Sequence, residues 1–418
     1  MNLQTVLHRL DEPASHSAAV ADFWETSLAT RPAKELFFLL SDFIDENAAY
    51  GGLSPDSLPF LRRTAAEVAG DEFLSVLAWH AYRRLVFHPE SDGFTEWPSL
   101  AARLGGQSAA FFLLIALAAV PRIRRKHAEL GVEETVTRDT CQVIAGQSLN
   151  FKPAFAGQCG MPRQVLEWLR HHITGRLFRL GRMEWLMRPF QGGVHVYRHR
   201  RDGRVAALAE GGMRITPQGF AHWREEPEPE GCWTTAVAFT PTAVTGHPVD
   251  PASGTVLSHT ITLDLDGWEH RMSGGMPCLD LHIPNGGGMT PAACRDSFLA
   301  APPFFRRVFP QHAFHGFACV SWILNPALAD ILPAESNLAR FLRQLYLFPV
   351  ASKPTDGFFY VFGEDKMPPP SLRGETTLQR AILKHIRAGN RWRAGGMFYL
   401  FDDLPRFGEE PYATAHLI

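Results

Sequence analysis

The chain has 418 residues, 45% apolar and 20% charged, with a formal net charge of -2 and a pI near 6.8. That is enough material for two or three domains with real cores. The balanced charge gives no reason to invoke nucleic acid or an anionic membrane as partner. The six cysteines form no CxxC and no zinc-site spacing, and the start MNLQTVLHRLDEP has no apolar signal core. Free thiols in a cytoplasmic protein are therefore expected.

Residues 1–130 read as helices. The segments are Ala18–Leu28, Pro32–Asn47, 58–70, 71–87 and Ser108–Leu130, separated by short Gly and Pro breaks. The apolar run Ala109–Val120 is too short to span a bilayer and predicts a buried helix. The composition changes near 131–140, so the spacing predicts a helical domain over 1–135 and a second domain over 136–418. Thr137–Leu149 and Pro162–His171 are further short helices.

Strands then dominate. Arg176–Met187 predicts a strand with Gly181 as a bulge or bend. Val194–Arg198 and Val205–Glu210 flank Asp202–Gly203, a strong hairpin signal. Trp233–Phe239 and Val256–Leu265 follow as strands. Phe317–Leu324, Phe358–Phe362 and Met397–Leu400 read as strands interleaved with helices at Pro326, Asn337–Leu347 and Thr376–Ala388. The fold class is α+β, a helical N-terminal domain followed by a larger mixed-sheet domain.

The stretch Leu279–Phe309 organises the second domain. An apolar strand, Leu279–Ile283, ends at Pro284, and Gly286, Gly287 and Gly288 follow. Thr290 and Pro291 predict the N-cap and first residue of a helix reaching Val308, kinked or broken at Pro302 and Pro303. Strand, glycine turn and helix start can present bare N–H groups to an anion; the other reading is a sharp chain reversal and nothing more. No GxGxxG or GK[ST] accompanies the glycines, which excludes the dinucleotide fingerprint and the P-loop.

His282 stands just before the glycines, and histidine has a pKa suited to a general base. His259 lies in the preceding strand candidate and reads as a second base or a core residue. Glu210, Asp264 and Asp266 are carboxylates at element ends. Cys319 and Ser321 share one face of a strand and read as nucleophile, proton donor or inert packing. Ser321 has no GxSxG context. No histidine pair has ligand spacing on a helix, so no metal is expected.

The segments LFRLGRMEW (Leu177–Trp185), LHIPNGGGMTPAACRDSF (Leu281–Phe298), FFRRVFP (Phe304–Pro310), FACVSWILNPALADILPAESNLARF (Phe317–Phe341) and TTLQRAILKHIRAGNRWRAGGMF (Thr376–Phe398) carry a resemblance. The chain resembles bacterial acyltransferase-domain proteins with a helical N-terminal domain and a GNAT-like C-terminal domain, GNAT denoting the N-acetyltransferase superfamily. The resemblance implies a central strand that splays from its neighbour, and coenzyme A or acyl-coenzyme A as co-substrate. It implies that Ile283, Asn285, Gly286, Gly287, Gly288, Met289, Thr290 and Arg295 hold the pyrophosphate, and that Tyr346 acts as proton donor near a helix end. The helical domain would shape the acceptor side, and the acceptor would be a small molecule, an amine or less readily a hydroxyl. This sequence departs from the superfamily loop, because the leading Gln or Arg is absent before the glycines. A non-catalytic binding or scaffold protein on the same fold, and a hydrolase using Cys319 or Ser321, are the alternatives. The sequence leaves the oligomeric state open.

Overall fold

The computed structural model describes residues 1–91 and 93–413, the side chains of 153 and 154 apart. It divides into two compact units, Met1–Leu180 with Ile283–Gly286, and Gly181–His282 with Gly287–Ile418. The expected domain end at 135 is therefore too early. The helices Glu134–Cys141, Val143–Phe151 and Val165–Ile173 put Cys141, Ile144, Leu166 and Leu169 into the same apolar core as the earlier helices.

In the helical unit, Leu58–Gly70 and Glu72–Phe87 fall where the periodicity put them. Asp71 separates them and caps the second, its carboxylate accepting from Phe73 N (2.8 Å) and Leu74 N (3.1 Å). Such a cap contributes about 1 kcal/mol. Ser108–Ala118 is buried from Ala109 through Ala118 on every side, as a central core helix should be. The run Ala101–Glu129 is long and apolar enough to cross a membrane, but 72% of its most apolar window is buried inside the protein. Two expected helices are broken: Ala18–Leu28 becomes Ser17–Val20 and Trp24–Ala29, and Pro32–Asn47 becomes the 3-10 turn Phe37–Leu39 and the helix Ser41–Tyr50. Extended backbone at Leu40 interrupts the second of these.

In the second unit a mixed sheet runs in the order Met183–Pro189, Pro277–His282, Gly316–Ser321, Gly395–Leu400, Tyr346–Pro349. The pair Pro277–His282 with Gly316–Ser321 is parallel and the other three pairings are antiparallel. The long helix Pro291–Val308 supplies that parallel connection. It buries Cys294, Ser297, Phe298, Ala301, Phe304 and Phe305, the helical spacing of one face. Phe298 packs edge-on against Trp185 (5.0 Å between centroids) and Phe317 (4.8 Å). Its ring is fully buried, so truncation to alanine would cost about 3–5 kcal/mol. The helix runs through Pro302 and Pro303 without ending, because the phenylalanines on either side are anchored in the core.

Other segments also differ from expectation, among them Trp233–Phe239, which splits into Trp233–Thr234 and Val237–Phe239. Arg176–Met187 is two strands, Leu177–Leu180 and Met183–Pro189, the bend at Gly181 (φ 66°) and Arg182 being a turn that separates them. Phe358–Phe362 is a helix, not a strand. Gly357 (φ 83°) and Gly363 (φ 85°) bound it in left-handed conformation, and burial of Phe358 overrides the β-propensity of FFYVF. Val256–Leu265 splits into Thr255–Val256 and Ile261–Asp264, separated by an exposed bend.

Candidate active site

The central strand keeps its antiparallel partner to the end, Leu281 opposite Trp185 and His282 opposite Glu184. Its parallel partner leaves earlier. Leu279 pairs with Phe317 and Asp280 with Ala318, and the pairing stops there. Gly316–Ser321 meanwhile stays paired to Gly395–Leu400 as far as Ser321 opposite Gly395. Two strands held on their outer flanks thus part on their inner edges beyond Asp280 and Ala318. The edges that face each other lose their ladder partners, and backbone polar groups there need another one.

The glycine turn begins at this opening. Gly286 (φ 81°) and Gly287 (φ 70°) are left-handed, a conformation that costs other residues about 1–2 kcal/mol. Residues 285–288 are exposed. A Cβ on Gly286 would meet nothing within 4 Å, and one on Gly287 would meet only the Arg182 side chain, at 3.8 Å. Thr290 caps the following helix, its hydroxyl accepting from Ala293 N at 3.3 Å, and Pro291 takes the first position. The helix has 18 residues, so its partial positive charge points into this loop. Arg182 adds a full charge, with Nε donating to Gly288 O at 3.2 Å. Arg182 reaches the loop from a turn about a hundred residues earlier in the chain. Burial pushes the Cys294 thiol up to about 11, and the nearby Arg182 charge acts in the opposite direction.

On one face of the central strand Cys278, Asp280 and His282 alternate, with Arg188, Leu186 and Glu184 opposite them. Asp280 is nearly buried, and its Oδ2 lies 3.1 Å from Arg188 Nη1 and 3.1 Å from His282 Nε2. The His282 imidazole thus lies in charge contact with this carboxylate, without the alignment of a hydrogen bond at Nε2. Arg188 compensates the charge that burial would otherwise penalise. Glu184, also buried, stands directly across from His282. Neither Asp280, Glu184, Arg188 nor Arg182 was singled out from the sequence. The signal available was the period-two spacing Cys278, Asp280, His282 inside an apolar run.

The other candidates fall elsewhere. Cys319 shares the face of Leu279 and Leu281, opposite to Asp280 and His282, as the pairing Leu279 to Phe317 dictates. It is buried, and burial drives its thiol well above the ordinary cysteine range, with Asp280 adding to the shift. Ser321 ends the strand and its Oγ accepts from Ile323 N at 3.4 Å. Neither is hydrogen-bonded to His282. Tyr346 is not at a helix end. The helix stops at Leu342, and Tyr346 opens a strand, fully buried, its hydroxyl donating to Val249 O (2.7 Å) and accepting from Ala207 N (3.1 Å). Both hydroxyl functions are used within the fold, and burial raises its pKa. His259 is exposed in the bend before Ile261–Asp264. Ile283 and Met289 are half-buried, Asn285 is exposed with Oδ1 accepting from Gly286 N at 2.7 Å, and Arg295 is exposed on the first turns of the helix. Among the described residues no group of three or more His, Cys, Asp or Glu is placed to hold a metal ion, and all six cysteines are free.

A mixed sheet whose parallel central pair parts ahead of a glycine turn and a capped helix defines a GNAT-like domain. The chain belongs to the family described by a GNAT-like C-terminal domain, whose model matches residues 177–398, and an N-acyltransferase N-terminal domain matches residues 42–175. Among solved structures it is similar to an acyltransferase mutant in complex with octanoyl-CoA (21% identity, TM-score 0.64, covering 96% of this chain and 99% of that one). An acyltransferase in complex with CoA and 10C-Teicoplanin gives a TM-score of 0.63, and one with decanoyl-CoA and teicoplanin 0.59, at the same identity and coverage. No curated protein matches the sequence.

Proposed function

We propose that this protein is an acyl-coenzyme-A-dependent acyltransferase that moves an acyl group to an amine, or a hydroxyl, by direct attack. The observation that carries the reading is the parting of the parallel pair after Asp280 and Ala318, immediately ahead of the exposed glycine turn. The residues fit the donor. Left-handed Gly286 and Gly287, the N-terminus capped by Thr290, and the guanidinium of Arg182 offer the amides and positive charge that a pyrophosphate needs.

His282, beside the Asp280 carboxylate at 3.1 Å, takes the proton of the acceptor nitrogen as that nitrogen attacks the thioester carbonyl. The C–N bond forms, the C–S bond breaks, and the departing thiolate leaves as the thiol after proton return. Positioning supplies most of the rate, since acyl transfer from a thioester needs no covalent intermediate. The buried thiol of Cys319, on the other face, gives the hydrolase reading no support. The acceptor is a small molecule at its simplest. Two of the similar acyltransferases were solved with 10C-Teicoplanin or teicoplanin, so the acceptor range extends upward to glycopeptides. The cytoplasm, where coenzyme A thioesters are made, is the compartment this reading assigns.

Calorimetric titration with coenzyme A, acetyl-, octanoyl- and decanoyl-coenzyme A tests the proposal. Saturable one-to-one binding is expected. A folded protein that binds none of the four would favour the non-catalytic scaffold reading.

A further inference from the structure

Beside the first turns of the helix Pro291–Val308 lies a cleft of about 230 Å³, lined in part by Ala292 and Arg295 from that helix and by Asn337 and Arg340 from Asn337–Leu342. Its volume is below the roughly 300–1,000 Å³ of sites that take whole drug-sized ligands, so it suits one polar fragment of a larger molecule. Its wall is fixed. Gln344 Oε1 accepts from Gly408 N (2.8 Å) and Glu410 N (3.1 Å), and the Glu410 carboxylate is held by Arg343 Nε at 2.8 Å. That pairing uses up the one carboxylate lining the cleft. Arg295 and Arg340, from two different elements, form no ion pair with any carboxylate among the described residues. Two unneutralised guanidinium groups beside one small cleft are a recognition device for a phosphate.

The position narrows the phosphate. From the cap at Thr290 to Arg295 the helix rises roughly 7.5 Å, about the distance that one ribose ring puts between a pyrophosphate and a second phosphate ester on the same nucleotide. We infer that this cleft takes the ribose 3′-phosphate of the donor coenzyme, with Arg340 as its main contact and Arg295 shared between it and the pyrophosphate. The inference rests on the acyl-coenzyme A reading above and adds a specificity that reading does not require.

The test compares coenzyme A with 3′-dephospho-coenzyme A by calorimetry on the parent, Arg340→Gln and Arg295→Gln. The parent should bind coenzyme A at least tenfold more tightly than the dephospho form. Arg340→Gln should lose about tenfold for coenzyme A and stay within twofold for the dephospho form, collapsing the preference. Arg295→Gln should weaken both, coenzyme A the more. Both arginines are exposed, so the variants should melt with the parent. Equal affinity of the parent for the two ligands, or a preference that survives Arg340→Gln, would overturn the inference and leave the acyltransferase reading standing. A parent that binds neither ligand would overturn both.

Discussion

Gly287 offers a way to separate charge from shape at the proposed pyrophosphate loop. Its φ of 70° is left-handed, and an added Cβ has room, with Arg182 Cδ at 3.8 Å as its nearest neighbour. Asparagine and aspartate are isosteric and both tolerate this conformation better than other residues. Gly287→Asn and Gly287→Asp should therefore carry a similar backbone strain, about 1–2 kcal/mol, and melt about 2–8 °C below the parent. They differ by one negative charge. An added carboxylate about 4 Å from a phosphate is repelled by about 1 kcal/mol at the dielectric of water and about 4 kcal/mol at an effective value of 20. Pairing of the new carboxylate with Arg182 would withdraw positive charge from the site and act in the same direction. Calorimetry with coenzyme A should show the aspartate variant weaker than the asparagine variant by between about fivefold and several hundredfold, the difference shrinking as salt is raised. Equal affinities for the two variants would refute the placement of an anion at this loop.

Four further outcomes follow from the geometry. Asp280→Asn should lower kcat by about a hundredfold through loss of the negative charge beside His282, while coenzyme A binding stays within about threefold; unchanged turnover would remove that charge from the mechanism. Tyr346→Phe should cost about 1–3 kcal/mol of stability, because Ala207 N is left buried without its acceptor, yet change kcat by less than about twofold; a large kcat loss at equal folding would restore it as a proton donor. Cys319→Ala should retain activity, and the parent thiol should resist alkylation by iodoacetamide until the protein unfolds. In the helical unit burial depresses His80 and His127 to about 4. The unfolded chain binds those protons first as pH falls, so stability is complete above about 6.5 and declines toward 4, by up to about 3 kcal/mol per histidine. Thermal melts from pH 7 to 5 should fall in the parent and fall less steeply in His127→Gln, and parallel slopes would contradict that assignment.

What could be read from the sequence was local. The strand Pro277–His282, the glycine turn and the Thr290 cap each announce themselves within a few residues, through apolar content, successive glycines and a Thr-Pro start. His282 stands out as a candidate because it directly precedes those glycines. What escaped depends on pairing across the chain. Arg182 reaches Gly288 from a remote turn, and Arg188 meets Asp280 only because two strands align in one register. The helical spacing of Asn337–Leu347 places Tyr346 at a helix end, whereas its hydroxyl is satisfied by Val249 and Ala207 from distant strands, which no local pattern shows. The helical domain was cut short at 135 because the composition changes there, although the later helices still contribute to the earlier core.

The most direct measurement is acyl transfer itself. Free thiol released from acyl-coenzyme A would be followed with a panel of amine and hydroxyl acceptors, glycopeptides included, and the products weighed by mass spectrometry, for the parent and His282→Gln. The account predicts one acylated acceptor per thiol with the parent. For His282→Gln it predicts a rate lower by about 10²–10⁴-fold with coenzyme A binding largely kept. Bound donor but no transfer to any acceptor, or equal rates for the parent and the variant, would contradict it.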